Sequence, residues 1–203
     1  MPTKTRRKTI ALLTMVPAAA VMLGLNLGGA EAGSSASAKL KNVDGRTVGA
    51  VQLVATGRSH MTVTATVRLP GDAAGFHGFH IHTTGVCDPA AVNPATGTVS
   101  PFFSAGGHLG SVEGQSHDDH AGDMPSLLVN ADGTATAMFR TDRATLAKIF
   151  DDDGAAIIVH QDADNFANIP SRYTSSESGQ PGPDASTLKT GDAGARQLCG
   201  VLR

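Results

Sequence analysis

The chain has 203 residues, of which 40% are hydrophobic and 17% charged, with 24 glycines, no tryptophan and a formal net charge of −2. Once residues 1–32 are set aside as an export segment, 12 basic and 17 acidic residues remain, a net charge of −5. That balance and the lack of a basic stripe exclude a nucleic-acid binder, while roughly 170 residues are enough for one domain with a full core.

Taken in order, the chain opens with TKTRRK, an apolar run from Ile10 to about Gly29, and Ala30-Glu31-Ala32. A basic start, an apolar stretch and an A-x-A site make 1–32 a signal peptide. A retained amino-terminal anchor is the alternative, because the run is near 20 residues long. Arg6-Arg7 lacks the apolar residue two places on that twin-arginine export uses, and no nearby cysteine offers a lipid attachment point. Residues 33–38 (GSSASA) read as a flexible leader, and the folded domain is expected over 39–203.

VGAVQLV (48–54) is rich in β-formers, and in 61–69 Met61, Val63, Ala65, Val67 and Leu69 alternate with polar residues. That period of two marks a half-buried strand, with 48–54 as its partner. Asp132-Gly133 stands between LLVN and TATAMFR as a hairpin signal. DRATLAKIF (142–150) suits one short helix, AAIIV (155–159) a fully buried strand, and 196–202 a last strand. His60 is placed on the polar face of its strand as an ordinary surface residue. The segments 83–125 and 161–194 are rich in Gly, Pro, Asp and Ser, and loops of that length in a compact domain are usually functional. With no internal repeat, the expectation is an all-β fold, a sandwich or barrel of about eight antiparallel strands with two long functional loops.

Cys87 and Cys199 are the only cysteines. An even count in an exported chain favours a disulfide, with two buried thiols as the alternative. The bond would close a loop of over a hundred residues, worth about 4–5 kcal/mol in the chain-entropy model.

Of eight histidines, three fall in GFHGFHIH (75–82). In a strand, i and i+2 share a face and i and i+3 do not, so His80 and His82 project together while His77 points away as a structural hydrogen-bonder. His108, His117, His120 and His160 lie where loops could fold over that pair. A histidine site assembled from separate segments suits copper or zinc. His117, His120 and Asp123 add a carboxylate, and three nitrogens with one oxygen suit tetrahedral zinc. The blander alternatives are incidental surface histidines and a solvated acidic HDDHAGD loop.

GFHGFHIH, SAGGHLG, HAGDMPSLLVNADG, IIVHQDADNF and LKTGDAGARQLCGV, in this order over 39–203, resemble the copper,zinc superoxide dismutase family of the bacterial exported type. The resemblance implies a Greek-key β-barrel and an oxidoreductase that converts superoxide to dioxygen and hydrogen peroxide at a histidine-ligated redox copper. It implies His80, His82, His108 and His160 as copper ligands, with His108 bridging to zinc and passing a proton to the product. Zinc would take His108, His117, His120 and Asp123. Asp164 would link a copper histidine to a zinc histidine, Cys87–Cys199 would be the family disulfide, and Arg196 would guide and hold the anion. Lys189 is a candidate for steering superoxide, or else a solvated loop lysine. The sequence departs from the family pattern at the zinc loop, where His117 and His120 are only three positions apart. That spacing leaves open a weak or empty zinc site. A homodimer is left open, membrane contact depends on the amino-terminal segment being retained, and the expected location is exported: extracellular, cell-envelope or periplasmic. Two other classes stand against the enzyme: an exported copper-binding or storage protein on the same barrel, and a structural β-sandwich.

Overall fold

The computed structural model of the chain describes residues 35–57, 59–70, 73–112 and 115–203; the expected signal peptide lies outside them. The chain starts with β1 (Ser35–Lys41), β2 (Thr47–Ala55) and β3 (Met61–Arg68). The side chains of β1 alternate exposed and buried, with Ala36, Ala38 and Leu40 inward. The expected flexible leader is therefore corrected from residue 35 onward: small residues at alternate positions pack on the core and pair with β2 from Ser35↔Val54. The strand at 48–54 and its neighbour at 61–69 pair antiparallel, as Ala55↔Met61 through Gly49↔Val67.

Next come β4 (Gly75–His77) and β5 (Phe79–His82), halves of one strand broken at Gly78. A Cβ on Gly78 would sit 2.6 Å from the Ala193 Cβ, so only glycine lets the second long loop approach here. Within the first long loop β6 (Val92–Asn93) and β7 (Thr98–Val99) form a small hairpin. Then follow β8 (Leu127–Val129), β9 (Thr134–Thr141), α1 (Leu146–Ile149), β10 (Ala156–His160), α2 (Ala185–Thr190) and β11 (Arg196–Val201). Seven strands form a sheet in the order β5-β10-β11-β1-β2-β3-β9, and β4 pairs with β8. Among the described residues all pairings are antiparallel, and with β4 and β5 taken as one, eight strands make the barrel.

The Asp132-Gly133 turn exists but joins different sheets: β8 pairs with β4 and β9 with β3. The turn is closed by Asn130 N–H to the Thr134 carbonyl at 2.8 Å and Gly133 N–H to the Asn130 carbonyl at 2.9 Å, and the Gly133 carbonyl accepts from the Leu69 amide at 2.8 Å, which docks the turn on another connection. The helix expected over 142–150 shrinks to the single turn of α1, capped by the Thr145 side chain. His60 is exposed just ahead of β3, outside the strand.

β10 explains the unbroken apolar run at 155–159. Ile157 and Val159 face the barrel core with Phe79, Ile81, Leu40 and Leu53. Ala156 and Ile158 face outward into a second cluster with Phe102, Ala105 and Cys199, covered by the first long loop. Both faces are buried, so no polar residue alternates. Each large side chain so buried contributes about 1.5–3 kcal/mol.

Candidate metal centre

The register of β5 on β10 sets the first half of the site. His80 lies opposite Ile158 and His82 opposite Ala156. Both histidines therefore share the outward face, while Phe79 and Ile81 fill the barrel. His160, at the end of β10, and His108, bridged to His82 in the first long loop, complete a set of four buried imidazoles. One ligand atom from each lies within 4.8 Å of the others.

In three of these rings, one nitrogen is tied down and the other is left without a partner. His82 Nδ1 donates to the Gly106 carbonyl at 2.9 Å and His160 Nδ1 to the Gly194 carbonyl at 3.0 Å. His80 Nε2 donates to Asp164 Oδ2 at 2.6 Å. These bonds fix the tautomers and leave lone pairs on His80 Nδ1, His82 Nε2 and His160 Nε2, all buried and unpartnered. Burial is the leading reason that these rings resist protonation: His80 falls to about 4, His160 to about 3, His108 to about 2, and His82 well below the usual value. Buried lone pairs that stay unprotonated and converge fit a soft cation such as copper.

The second half rests on a 3-10 turn, His117–Asp119, with His120 as its next residue. Residues three apart in a 3-10 turn eclipse one another, so the short interval brings His117 and His120 to the same side. Asp123 Oδ1 lies 2.9 Å from His108 Nδ1 and 3.4 Å from His117 Nδ1, and its Oδ2 is 3.4 Å from His120 Nδ1. A tetrahedron with zinc–ligand bonds of 2.0–2.1 Å has edges of about 3.3 Å, so the donor set fits zinc. A second set within 4.8 Å pairs His108, His117 and Asp123 with His80. Since His80 Nε2 is held by Asp164 and both nitrogens of His120 are unpartnered, His120 completes the zinc set better.

Asp164 joins the halves: its Oδ2 accepts from His80 Nε2 at 2.6 Å and from His117 Nε2 at 2.8 Å. Burial alone would raise Asp164, but these two imidazole donors, with the Phe166 amide on Oδ1, hold it well below the usual carboxylate range. For His117, burial pulls the value down, yet the Asp164 hydrogen bond and the nearby carboxylates outweigh it and raise it. Gly191, the left-handed cap of α2, presses onto this junction: a Cβ there would be 2.0 Å from Asp164 Oδ1 and 2.6 Å from His117 Nε2. Phe166, left-handed at φ 54, lays its ring against His117 at 6.3 Å between centroids.

A cavity of about 590 Å³ opens onto His82, His108 and His160, with Arg196 and Lys189 also in its wall. Arg196 donates from Nη1 to the Phe102 carbonyl and from Nη2 to the Gly106 carbonyl, both at 2.6 Å. The Gly106 carbonyl thus holds both Arg196 and His82. Burial lowers Arg196 to about 10, which leaves it cationic at neutral pH. The Cys87–Cys199 disulfide is formed, with Cα atoms 5.7 Å apart, and ties the loop that carries these carbonyls to β11. His77 points away from the metal set as expected, each ring nitrogen 2.8 Å from a main-chain carbonyl, of His160 and of Ala73. The four expected copper histidines and His108, His117 and Asp123 of the expected zinc set each lie within metal-holding distance, with His120 beside Asp123. The carbonyls of Phe102, Gly106 and Gly194 carry no signal in a sequence, and Gly191 and Phe166 stood unnoticed inside a loop.

Comparison with known proteins agrees with this geometry. The sequence model of the family described as "Copper/zinc superoxide dismutase (SODC)" matches residues 47–202. "Superoxide dismutase [Cu-Zn]" of Mycolicibacterium paratuberculosis is 38% identical over 186 residues, 92% of this chain and 76% of that protein. The protein of the same name from Mycobacterium tuberculosis is 44% identical over 148 residues, 73% of this chain and 61% of that protein's length. Among solved structures, a SOD-like protein from Bacillus subtilis superposes with a TM-score of 0.58 at 25% identity, over 81% of this chain and 96% of that one. With the family model matching most of the chain and these relatives at 38–44% identity, the chain belongs to the copper/zinc superoxide dismutase family.

Proposed function

We propose that the chain is an exported superoxide dismutase with a copper and a zinc, taking two superoxide anions and two protons to dioxygen and hydrogen peroxide. The observation that carries this reading is the set of three buried, unpartnered imidazole nitrogens, two of them on rings (His82 and His160) that line one cavity together with a pinned arginine. His80 Nδ1, His82 Nε2, His160 Nε2 and the free side of His108 would hold copper. His108 Nδ1, His117 Nδ1, His120 Nδ1 and Asp123 would hold zinc. Copper supplies one-electron exchange in both directions, and zinc, without redox chemistry, organises the site.

The chain's own residues supply the rest. Arg196 has three N–H donors beyond the two on carbonyls, and its permanent charge attracts and orients a small anion in the cavity. Lys189, in the last turn of α2, adds positive potential at the wall of that cavity. His108 stands between the donor sets, and its Nε2 would hold either copper or, in its place, a proton for the peroxide product. Asp164 keeps His80 and His117 in the tautomers that aim Nδ1 inward. A storage protein would need the imidazoles but not an arginine fixed in the cavity wall by two carbonyls. Export of the mature chain is supported by the disulfide and by the signal-like 1–32 segment.

The test is superoxide decay with the mature protein loaded with copper alone, then with copper and zinc. Fast decay with both metals is expected. Bound copper without catalysis in either state would refute the enzyme and leave copper binding as the function.

A further inference from the structure

The wall of the cavity holds an aromatic ring that the activity as described does not use. Phe103 begins the 3-10 turn Phe103–Ala105 and lies beside Arg196, whose guanidinium carbon is 5.3 Å from the ring centroid. The same guanidinium is pinned along its edge by the carbonyls of Phe102 and Gly106. Phe102 delivers its carbonyl from a left-handed backbone at φ 61, unusual for a non-glycine residue, with its ring locked in the second core cluster. Phe103 is thereby turned outward into the cavity wall, half-buried beside the charge.

We infer that Phe103 is a positioning residue for the anion, acting through Arg196. Two carbonyls fix the edge of the guanidinium but leave it free to rock about that edge. A ring against one face removes this freedom and keeps water from that face. The charge is then offered, less hydrated and in one orientation, to an anion entering the cavity. The ring's negative face attracts the cation itself, so the contact is self-maintaining and needs no partner from another element. The inference rests on the proposed anion-holding role of Arg196, and it concerns binding, not electron transfer.

The test uses azide as a small anionic probe, titrated into the copper-loaded, disulfide-formed protein and followed by visible absorption, without superoxide. Phe103→Leu, which keeps apolar bulk but no ring, should weaken azide binding by about two- to fivefold, the factor expected for one partly exposed cation–aromatic contact. Phe103→Tyr should restore the wild-type constant. In an Arg196→Ala background the leucine change should do nothing, because the effect runs through that side chain. An unchanged azide constant in Phe103→Leu, or the same weakening without Arg196, would overturn the inference. If the leucine variant loses copper, Phe103→Met, of similar volume, makes the same test. Wild-type azide binding with no dismutation would refute the enzyme and leave the Phe103 contact standing.

Discussion

The two halves of the metal centre are built from different materials. The copper half hangs on β5 and β10, whose inner faces are part of the barrel core, so His80, His82 and His160 inherit the rigidity of packed strands. The zinc half hangs on a 3-10 turn and its neighbours, held by Asp123, by Asp164 and by contacts from the second long loop. Strand ligands are set by a local period of two, whereas loop ligands depend on distant groups that meet only when the chain has folded. The strand-borne copper ligands should therefore tolerate changes in the 117–123 turn better than the zinc half does, while His108 and the carbonyls of Gly106 and Gly194 still tie copper to the two long loops.

The largest effect should come from His82→Ala, which removes one of four imidazoles and leaves the Gly106 carbonyl to Arg196 alone. Copper and activity should be lost together, with zinc still bound as measured by elemental analysis. Full activity would refute the ligand assignment.

Gly191→Ala comes next. It places a methyl within the Asp164–His117 junction and forces alanine into a left-handed backbone, which by itself costs about 1–2 kcal/mol. Zinc uptake should fall by an order of magnitude or more and copper uptake much less. Equal losses in a metal-titration experiment would mean that the halves are not separable.

Acid should separate the halves in the metal-free protein. The folded values of His80 and His160 lie below the unfolded value of 6.5, so the folded chain binds fewer protons there. Their contribution is complete above 6.5 and is lost as pH falls towards about 4 and 3. His117 is shifted the other way, so its contribution is complete below 6.5 and fades as pH rises through its folded value. Thermal melts of the metal-free protein should therefore drop between pH 7 and 4; a flat profile would contradict the burial of the copper-side rings.

The smallest effect belongs to Arg143, which donates to the Asp118 carbonyl and braces the turn from outside. Arg143→Ala should weaken zinc by about tenfold or less, the loss of one exposed hydrogen bond. Copper binding should not change, and cobalt substituted for zinc gives a spectroscopic readout.

Several features were legible because their causes are local. The alternation in 61–69 gives β3, the apolar run at 155–159 gives β10, and the i, i+2 pair His80 and His82 shares a face by strand geometry alone. Where a signal was read too literally, a distant contact had overruled it. Asp132-Gly133 makes its turn, but the strands beyond it pair with β4 and β3 and not with each other, and the turn docks on Leu69. Ser35–Ala38 look like linker, yet β2 offers a paired edge and the core a place for two alanines.

The sequence by itself determined the chemistry available to this protein: which imidazoles and carboxylates exist, which strands carry them, and the two cysteines that bind the first long loop. Only the tertiary structure decided how that chemistry is aimed. The carbonyls of Gly106, Phe102 and Gly194, the approach of Gly191 to Asp164, and the ring of Phe103 beside Arg196 all join residues far apart in the chain. Main-chain carbonyls are the same at every position, so their role depends on where folding leaves them and not on which residue bears them.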